Sequence, residues 1–183
     1  YGKVDTLFFR ADTLYQTTDS LSKNIIKAVN NVVIINANAV GICDSIYYNE
    51  GDSIIKLRKK PIIWNEDTQL SGDTINMSLE NNNIDKIYLK NNALVITKHD
   101  SIHFDQLSGK EITADFVKND IHEIFIDKNA QTLYYPSEES KDSLNSTKTL
   151  KGQNHLVSDQ IYVYFKTSEI QKIKFIDKPE AVF

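Results

Sequence analysis

Cysteine is nearly absent: Cys43 stands alone in 183 residues, which excludes an internal disulfide and a multi-cysteine zinc site. Glycine and proline are few, at six and three, and the scattered glycines make no phosphate-cradling loop. No apolar run reaches the roughly 18 residues of a membrane-spanning helix. A basic excess is missing too. The 21 Lys and Arg against 25 Asp and Glu leave a net charge of −4, which argues against a protein built to grip nucleic-acid phosphates. The chain opens Tyr1-Gly2-Lys3, without an initiating methionine or an apolar leader. It is expected to be a mature or trimmed piece, from which an export signal can have been cut.

What is abundant is β-forming. Ile, Val and Thr account for 45 of the 183 residues, and aromatics add 10%. Such side chains suit a pleated, half-buried surface, whereas scarce Ala and frequent Asn disfavour long helices. Leu21, Ile25, Ile26 and Val29 have helical spacing, yet the repeat described next places a turn and a strand there, and strand is the expectation.

The chain repeats itself, which is the first thing to seek in a strand-rich sequence. Ser71-Gly72-Asp73-Thr74-Ile75 is echoed by Ser108-Gly109-Lys110-Glu111-Ile112 and Val157-Ser158-Asp159-Gln160-Ile161, and more weakly by Ala11-Asp12-Thr13-Leu14 and Cys43-Asp44-Ser45-Ile46. The internal offsets recur: Ile84, Ile121 and Ile170 each stand eleven residues after Asp73, Lys110 and Asp159. Val32, Ala93, Ala130 and Pro179 follow their starts by twenty residues, and Pro61 follows Asp44 by seventeen. Within each unit apolar and polar residues alternate, as in Ile75, Met77 and Leu79 between Thr74, Asn76 and Ser78, with turns expected at Asn81-Asn82-Asn83, Asn91-Asn92, Lys118-Asn119-Asp120 and Lys166-Thr167-Ser168. Period two with one oily face is a sheet with one dry side. A unit of two or three short strands cannot bury that face alone; stacked units can. One elongated all-β domain over 1–183 is expected, with repeat starts near 12, 44, 73, 110 and 159 and a polar loop inserted at 136–149. Its end strands are unpaired edges that invite another chain.

The runs Gly41-Ile42-Cys43-Asp44-Ser45-Ile46-Tyr47-Tyr48, Lys60-Pro61-Ile62-Ile63-Trp64, Gln69-Leu70-Ser71-Gly72-Asp73-Thr74-Ile75 and Phe104-Asp105-Gln106-Leu107-Ser108-Gly109-Lys110-Glu111-Ile112 resemble OstA-like proteins of the lipopolysaccharide-transport superfamily of Gram-negative bacteria. The resemblance covers nearly the whole chain, from Leu7 to Phe183. It implies an elongated twisted β-jelly-roll, a folded-over antiparallel sheet with an apolar trough between its walls. It also implies a non-catalytic periplasmic role in outer-membrane biogenesis: shielding the acyl chains of lipopolysaccharide or a related glycolipid, and bridging to other transport proteins, or to further copies, by edge-strand pairing. Outer-membrane members carry a similar roll ahead of a barrel. This chain has no barrel-length set of strands and is expected to be the soluble portion alone, in the periplasm or associated with the outer membrane.

The oily repeat positions that would line such a trough are Ile75, Met77, Leu79, Ile87, Leu89, Ile102, Phe104, Ile112, Phe116, Ile124, Ile126, Ile161, Val163, Phe165, Ile173 and Phe175. Any β-roll has such a face, so the same residues also read as plain core. Arg58, Lys59 and Lys60 form the densest basic run, suited to lipid phosphates at a trough mouth or to a charged turn. Trp64 reads as a core or rim anchor and Cys43 as a buried thiol. His99 and His103 would lie roughly 13 Å apart on one strand, too far to share a metal. Asp44-Ser45 and His99-Asp100-Ser101 hold hydrolase letters without a nucleophile elbow, and Glu138-Glu139 reads as a solvated pair. The residues give no reason to expect a catalytic, metal or cofactor site. The alternative function is a self-assembling scaffold that binds no lipid; a carbohydrate-active enzyme ranks last, because the acids fall at turns and wet faces.

Overall fold

The computed structural model describes residues 8–35, 39–81, 83–118, 120–142, 145–166 and 169–182, and every regular element among them is a strand. In order these are β1 (Phe8–Arg10), β2 (Thr13–Thr18), β3 (Asn24–Ile35), β4 (Ala39–Asn49), β5 (Ile54–Arg58), β6 (Ile62–Asn65), β7 (Thr68–Ser71), β8 (Thr74–Glu80), β9 (Asn83–Lys98), β10 (Phe104–Val117), β11 (Asp120–Tyr134), β12 (Ser137–Asp142), β13 (Asn145–Leu150), β14 (Asn154–Lys166), β15 (Glu169–Ile176) and β16 (Glu180–Val182). The pairs β12–β13 stand apart as a hairpin, and the other fourteen strands form one antiparallel sheet.

That sheet is bent double. Its long strands β3, β4, β9, β10, β11 and β14 each cross a fold line and contribute to two walls, while the shorter strands serve one wall each. The first wall runs β2, β3, β4, β5, β8, β9, β10, β11, β14, β15. The second runs β1, β3, β4, β6, β7, β9, β10, β11, β14, β16. Each wall therefore has ten rungs, and on the first wall each of the five repeats supplies two.

The fold line has a local cause. Asn30-Asn31, Lys59-Lys60, Asn91-Asn92, Lys128-Asn129 and Asp177-Lys178 are consecutive pairs with φ between 50 and 64°. Two left-handed residues in a row turn a strand out of its plane, and Asn and Asp adopt that conformation with less strain than most side chains. In β3 the pair opposes the single residue Asp44, since Val29 faces Ser45 and Val32 faces Cys43, which makes a β-bulge. The repeat-start acids fasten the bulges. Asp12 and Asp73 accept hydrogen bonds from the side-chain amides of Asn31 (2.9 Å) and Asn92 (3.2 Å), and Asp44 pairs with the Lys59 ammonium at 2.9 Å. Asn91-Asn92, expected as a chain-reversing turn, is thus a bend within the continuous strand β9. The same left-handed φ serves either purpose, so the sequence alone does not separate them.

Beside this line the core is a single ladder running the length of the first wall: Leu14, Ala28, Ile46, Leu57, Ile75, Leu89, Ile112, Ile126, Ile161 and Phe175 are successive register partners. The eight inner members are buried, and Leu57, Ile75, Ile126 and Ile161 are fully so. Val32, Pro61, Ala93 and Ala130, just past each bulge, are buried as well, whereas Pro179 of the terminal rung is exposed. The polar stretch expected as a loop at 136–149 is instead the hairpin β12–β13, closed at its base where the Lys151 N–H donates to the Pro136 carbonyl (2.8 Å).

Candidate functional site

Between the walls lies the apolar interior, with the fold line as its floor and a row of turns at each lip. Burial falls steadily from floor to lip on the first wall. Ile75 is fully buried while Met77 and Leu79 are half-buried; Ile126 is fully buried, Ile124 5% exposed and Ile121 half-buried. Leu89 is 2% exposed, Ile87 6% and Ile84 37%. The second wall supplies the facing row Phe9, Ile34, Gly41, Ile63, Leu70, Val95, Leu107, Thr132, Leu156 and Ala181, again a run of register partners. Val95, Thr132 and Leu156 are buried, which a lone sheet could not achieve and the opposite wall explains.

Nearer the second lip the inward row turns polar. Thr68, Thr97, Asp105, Tyr134 and Asn154 stand two residues from Leu70, Val95, Leu107, Thr132 and Leu156, so the pleat sets them on the same side. The Thr68 and Thr97 hydroxyls are 3.3 Å apart, and the Asn154 amide donates to the Tyr134 hydroxyl at 2.7 Å. Asp105 accepts the Tyr135 N–H at 2.9 Å and lies 3.3 Å from His99 Nδ1. The turn after β9 is fastened by Asp100, whose carboxylate accepts the N–H groups of Ile102 and His103 and meets His103 Nδ1 at 2.7 Å. Those bonds, the Ile102 N–H foremost, hold the Asp100 carboxyl down at about 2. None of this row was legible as interior, because a polar residue alternating with Leu or Val is what an outward face looks like.

Fourteen of the sixteen expected trough residues face the interior: Ile75, Met77, Leu79, Ile87, Leu89, Ile112, Phe116, Ile124, Ile126, Ile161, Val163, Phe165, Ile173 and Phe175. Two do not. Ile102 caps the tight turn at 75% exposure, and Phe104 points from the outer face of β10, one residue out of step with inward Asp105. The basic run is also displaced from the mouth: Arg58, Lys59 and Lys60 sit on the fold line, where Arg58 Nη1 donates to Asn76 Oδ1 and Lys59 pairs with Asp44. His99 and His103 are not spread along a strand. The turn brings them together over Tyr135, at ring separations of 6.2 and 4.6 Å. Among the described residues no three His, Cys, Asp or Glu side chains are placed to hold a metal ion. Cys43 is buried at the fold line, and burial pushes its thiol up to about 11. Trp64 lies on the outer face, its indole N–H donating to Gln69 Oε1 at 2.9 Å. Two cavities, of about 290 and 510 Å³, are formed, one around Gln106, Gln131, Thr132 and His155, the other on the fold line around Lys110, Asp127 and Asp159.

No family model and no curated protein matches the chain. Among solved structures it is similar to LptH of Pseudomonas aeruginosa, the LptA-homologous periplasmic component of the conserved lipopolysaccharide transport device, with a TM-score of 0.54 over 97% of this chain and 94% of that one, at 10% sequence identity. The fold is therefore the twisted β-jelly-roll of that protein, the architecture that the OstA-like resemblance implies.

Proposed function

We propose that this chain is a non-catalytic periplasmic component of lipopolysaccharide transport toward the outer membrane, holding the acyl chains of lipopolysaccharide or a related glycolipid in its trough. The observation that carries the reading is the unbroken inward apolar ladder, fully buried at the floor and half-open at the lip, in a fold shared with LptH. Burying methylenes contributes about 0.8 kcal/mol each, so a ten-methylene stretch of acyl chain gains on the order of 8 kcal/mol from a dry surface alone. On this reading the floor residues Ile75, Leu89, Ile112, Ile126 and Ile161 are structural core, and Met77, Leu79, Phe116, Phe165 and Ile173 meet lipid. The edge strands β2 and β15, which pair with β3 and β14 on one side, would join further transport components or copies of this chain through their other edges.

A benzophenone side chain introduced at Leu79 or Phe116 should crosslink to lipopolysaccharide, and one at outward-facing Tyr88 or Thr113 should not. Equal labelling at all four, or none at any, contradicts the reading. The scaffold alternative draws on the completely filled floor row, and it predicts association without labelling at Leu79 or Phe116.

A further inference from the structure

The two lips of the trough differ in chemistry. On the first wall the outermost inward pairs are Leu79 with Ile84, Phe116 with Ile121 and Phe165 with Ile170. On the second wall the corresponding level is Thr68, Thr97, Asp105, Tyr134 and Asn154. A trough meant only for hydrocarbon would not place hydroxyls, a carboxylate and an amide along one side, because each must be desolvated when the groove fills. One level deeper, between Leu107 and Leu156, Thr132 is 2% exposed and its hydroxyl has no hydrogen-bond partner among the described residues. A buried hydroxyl left without a partner is unfavourable, and it is a donor waiting for an acceptor.

We propose that the trough binds its amphiphile sideways: alkyl chains lie against the first wall, and the ester, amide or hydroxyl groups that join them to the head lie against the second, with the Thr132 hydroxyl donating to a carbonyl oxygen. The inference rests on the lipid-carrier reading and adds to it an orientation and a ligand class, an acylated amphiphile with hydrogen-bonding linkages. The polar row then serves the linkage region: Tyr134, and whichever of Thr68 and Thr97 accepts from the other, supply hydroxyl protons, and Asp105 and the Asn154 side-chain carbonyl accept from ligand hydroxyl or amide groups.

Thr132→Val keeps the shape of the side chain and removes the hydroxyl. The variant should melt at the same temperature as the parent or higher, since an unpartnered group is lost. Its affinity for lipopolysaccharide should fall about three- to tenfold, the worth of one hydrogen bond. Its affinity for diphenylhexatriene, which has no hydrogen-bonding group, should not change. In parallel, lipopolysaccharide carrying a diazirine at an acyl-chain terminus should label the segments around Leu79 and Phe116, and a diazirine on the head should label those around Thr97 and Tyr134. Unchanged lipopolysaccharide affinity in Thr132→Val, or acyl labelling spread evenly over both walls, overturns the sideways orientation while leaving the carrier reading intact. If the parent protein binds neither lipopolysaccharide nor diphenylhexatriene, both fall together.

Discussion

The residue before each repeat start is small without exception: Ala11, Cys43, Gly72, Gly109 and Ser158. At these positions the bulge of the neighbouring strand comes close: a Cβ on Gly72 would lie 3.4 Å from the Asn91 carbonyl oxygen. Gly109 is the tightest case, since a Cβ there would lie 2.5 Å from Ile126 Cγ2, whereas one at Gly41 would have nothing nearer than 3.8 Å. Gly109→Ala should therefore cost about 1–3 kcal/mol by overpacking, and Gly41→Ala should stay within about 0.5 kcal/mol of the parent in urea unfolding. The role of Cys43 is equally steric. With its thiol held near 11, it should react with a disulfide reagent at pH 8 only as fast as the protein opens, and at full speed in denaturant. Asp100 links the lip turn to pH. Its folded value of about 2 lies below the ordinary 3.8, so its contribution is fully present above pH 4 and disappears as pH falls toward 2. Asp100→Asn should lower the melting temperature at pH 7, and the gap to the parent should close between pH 4 and pH 2.

At the scale of elements, the strands and their inward faces were legible because period two is written directly in Ile75-Met77-Leu79, Ile124-Ile126 and Ile161-Val163-Phe165. The residues two positions after Asp44, Asp73, Lys110 and Asp159 all fall on one buried ladder, and Leu14, two after Asp12, is its exposed end. What the sequence hid was tertiary. A left-handed Asn pair reads as a turn whether the chain reverses or bulges, and the polar lip reads as an outer face because only the opposite wall makes it an interior. Phe104 failed for the converse reason, as its outward position follows from the register of β10 and not from its hydrophobicity. The bulges themselves can be tested. Lys60 is exposed with φ of 58°, so Lys60→Gly should stabilise by up to about 1 kcal/mol, and Lys60→Val should destabilise by about 1–2 kcal/mol. The hairpin β12–β13 pairs with no strand of the main sheet. Replacing 137–150 with a short glycine turn between Pro136 and Lys151 should shift the melting temperature by no more than about 2 °C, because β12 and β13 form a two-stranded sheet of their own.

Over the whole molecule, the ladder has two unfinished ends. Leu14 ends the ladder on β2 and is 58% exposed, and on the opposite edge strand, β15, the ladder ends at half-buried Phe175 while the lip residue Ile170 is 56% exposed. A sheet that stops with its apolar row in water is a surface for another sheet. Leu14→Lys with Ile170→Lys should reduce any concentration-dependent association seen by sedimentation and change stability by no more than about 0.5 kcal/mol. A parent protein that stays monomeric at all concentrations would remove self-pairing from the account and leave hetero-pairing as the use of these edges.

The trough can be read out most directly through Met77, the single methionine of the chain, which sits half-buried on the inward face of β8 between Ile55 and Ile87. In a sample carbon-13 labelled at the methionine methyl, added lipopolysaccharide should move this one resonance and produce nuclear Overhauser contacts from it to acyl-chain protons. A Met77 methyl that keeps its position and shows no acyl contact at saturating lipopolysaccharide would contradict the trough as the lipid's seat.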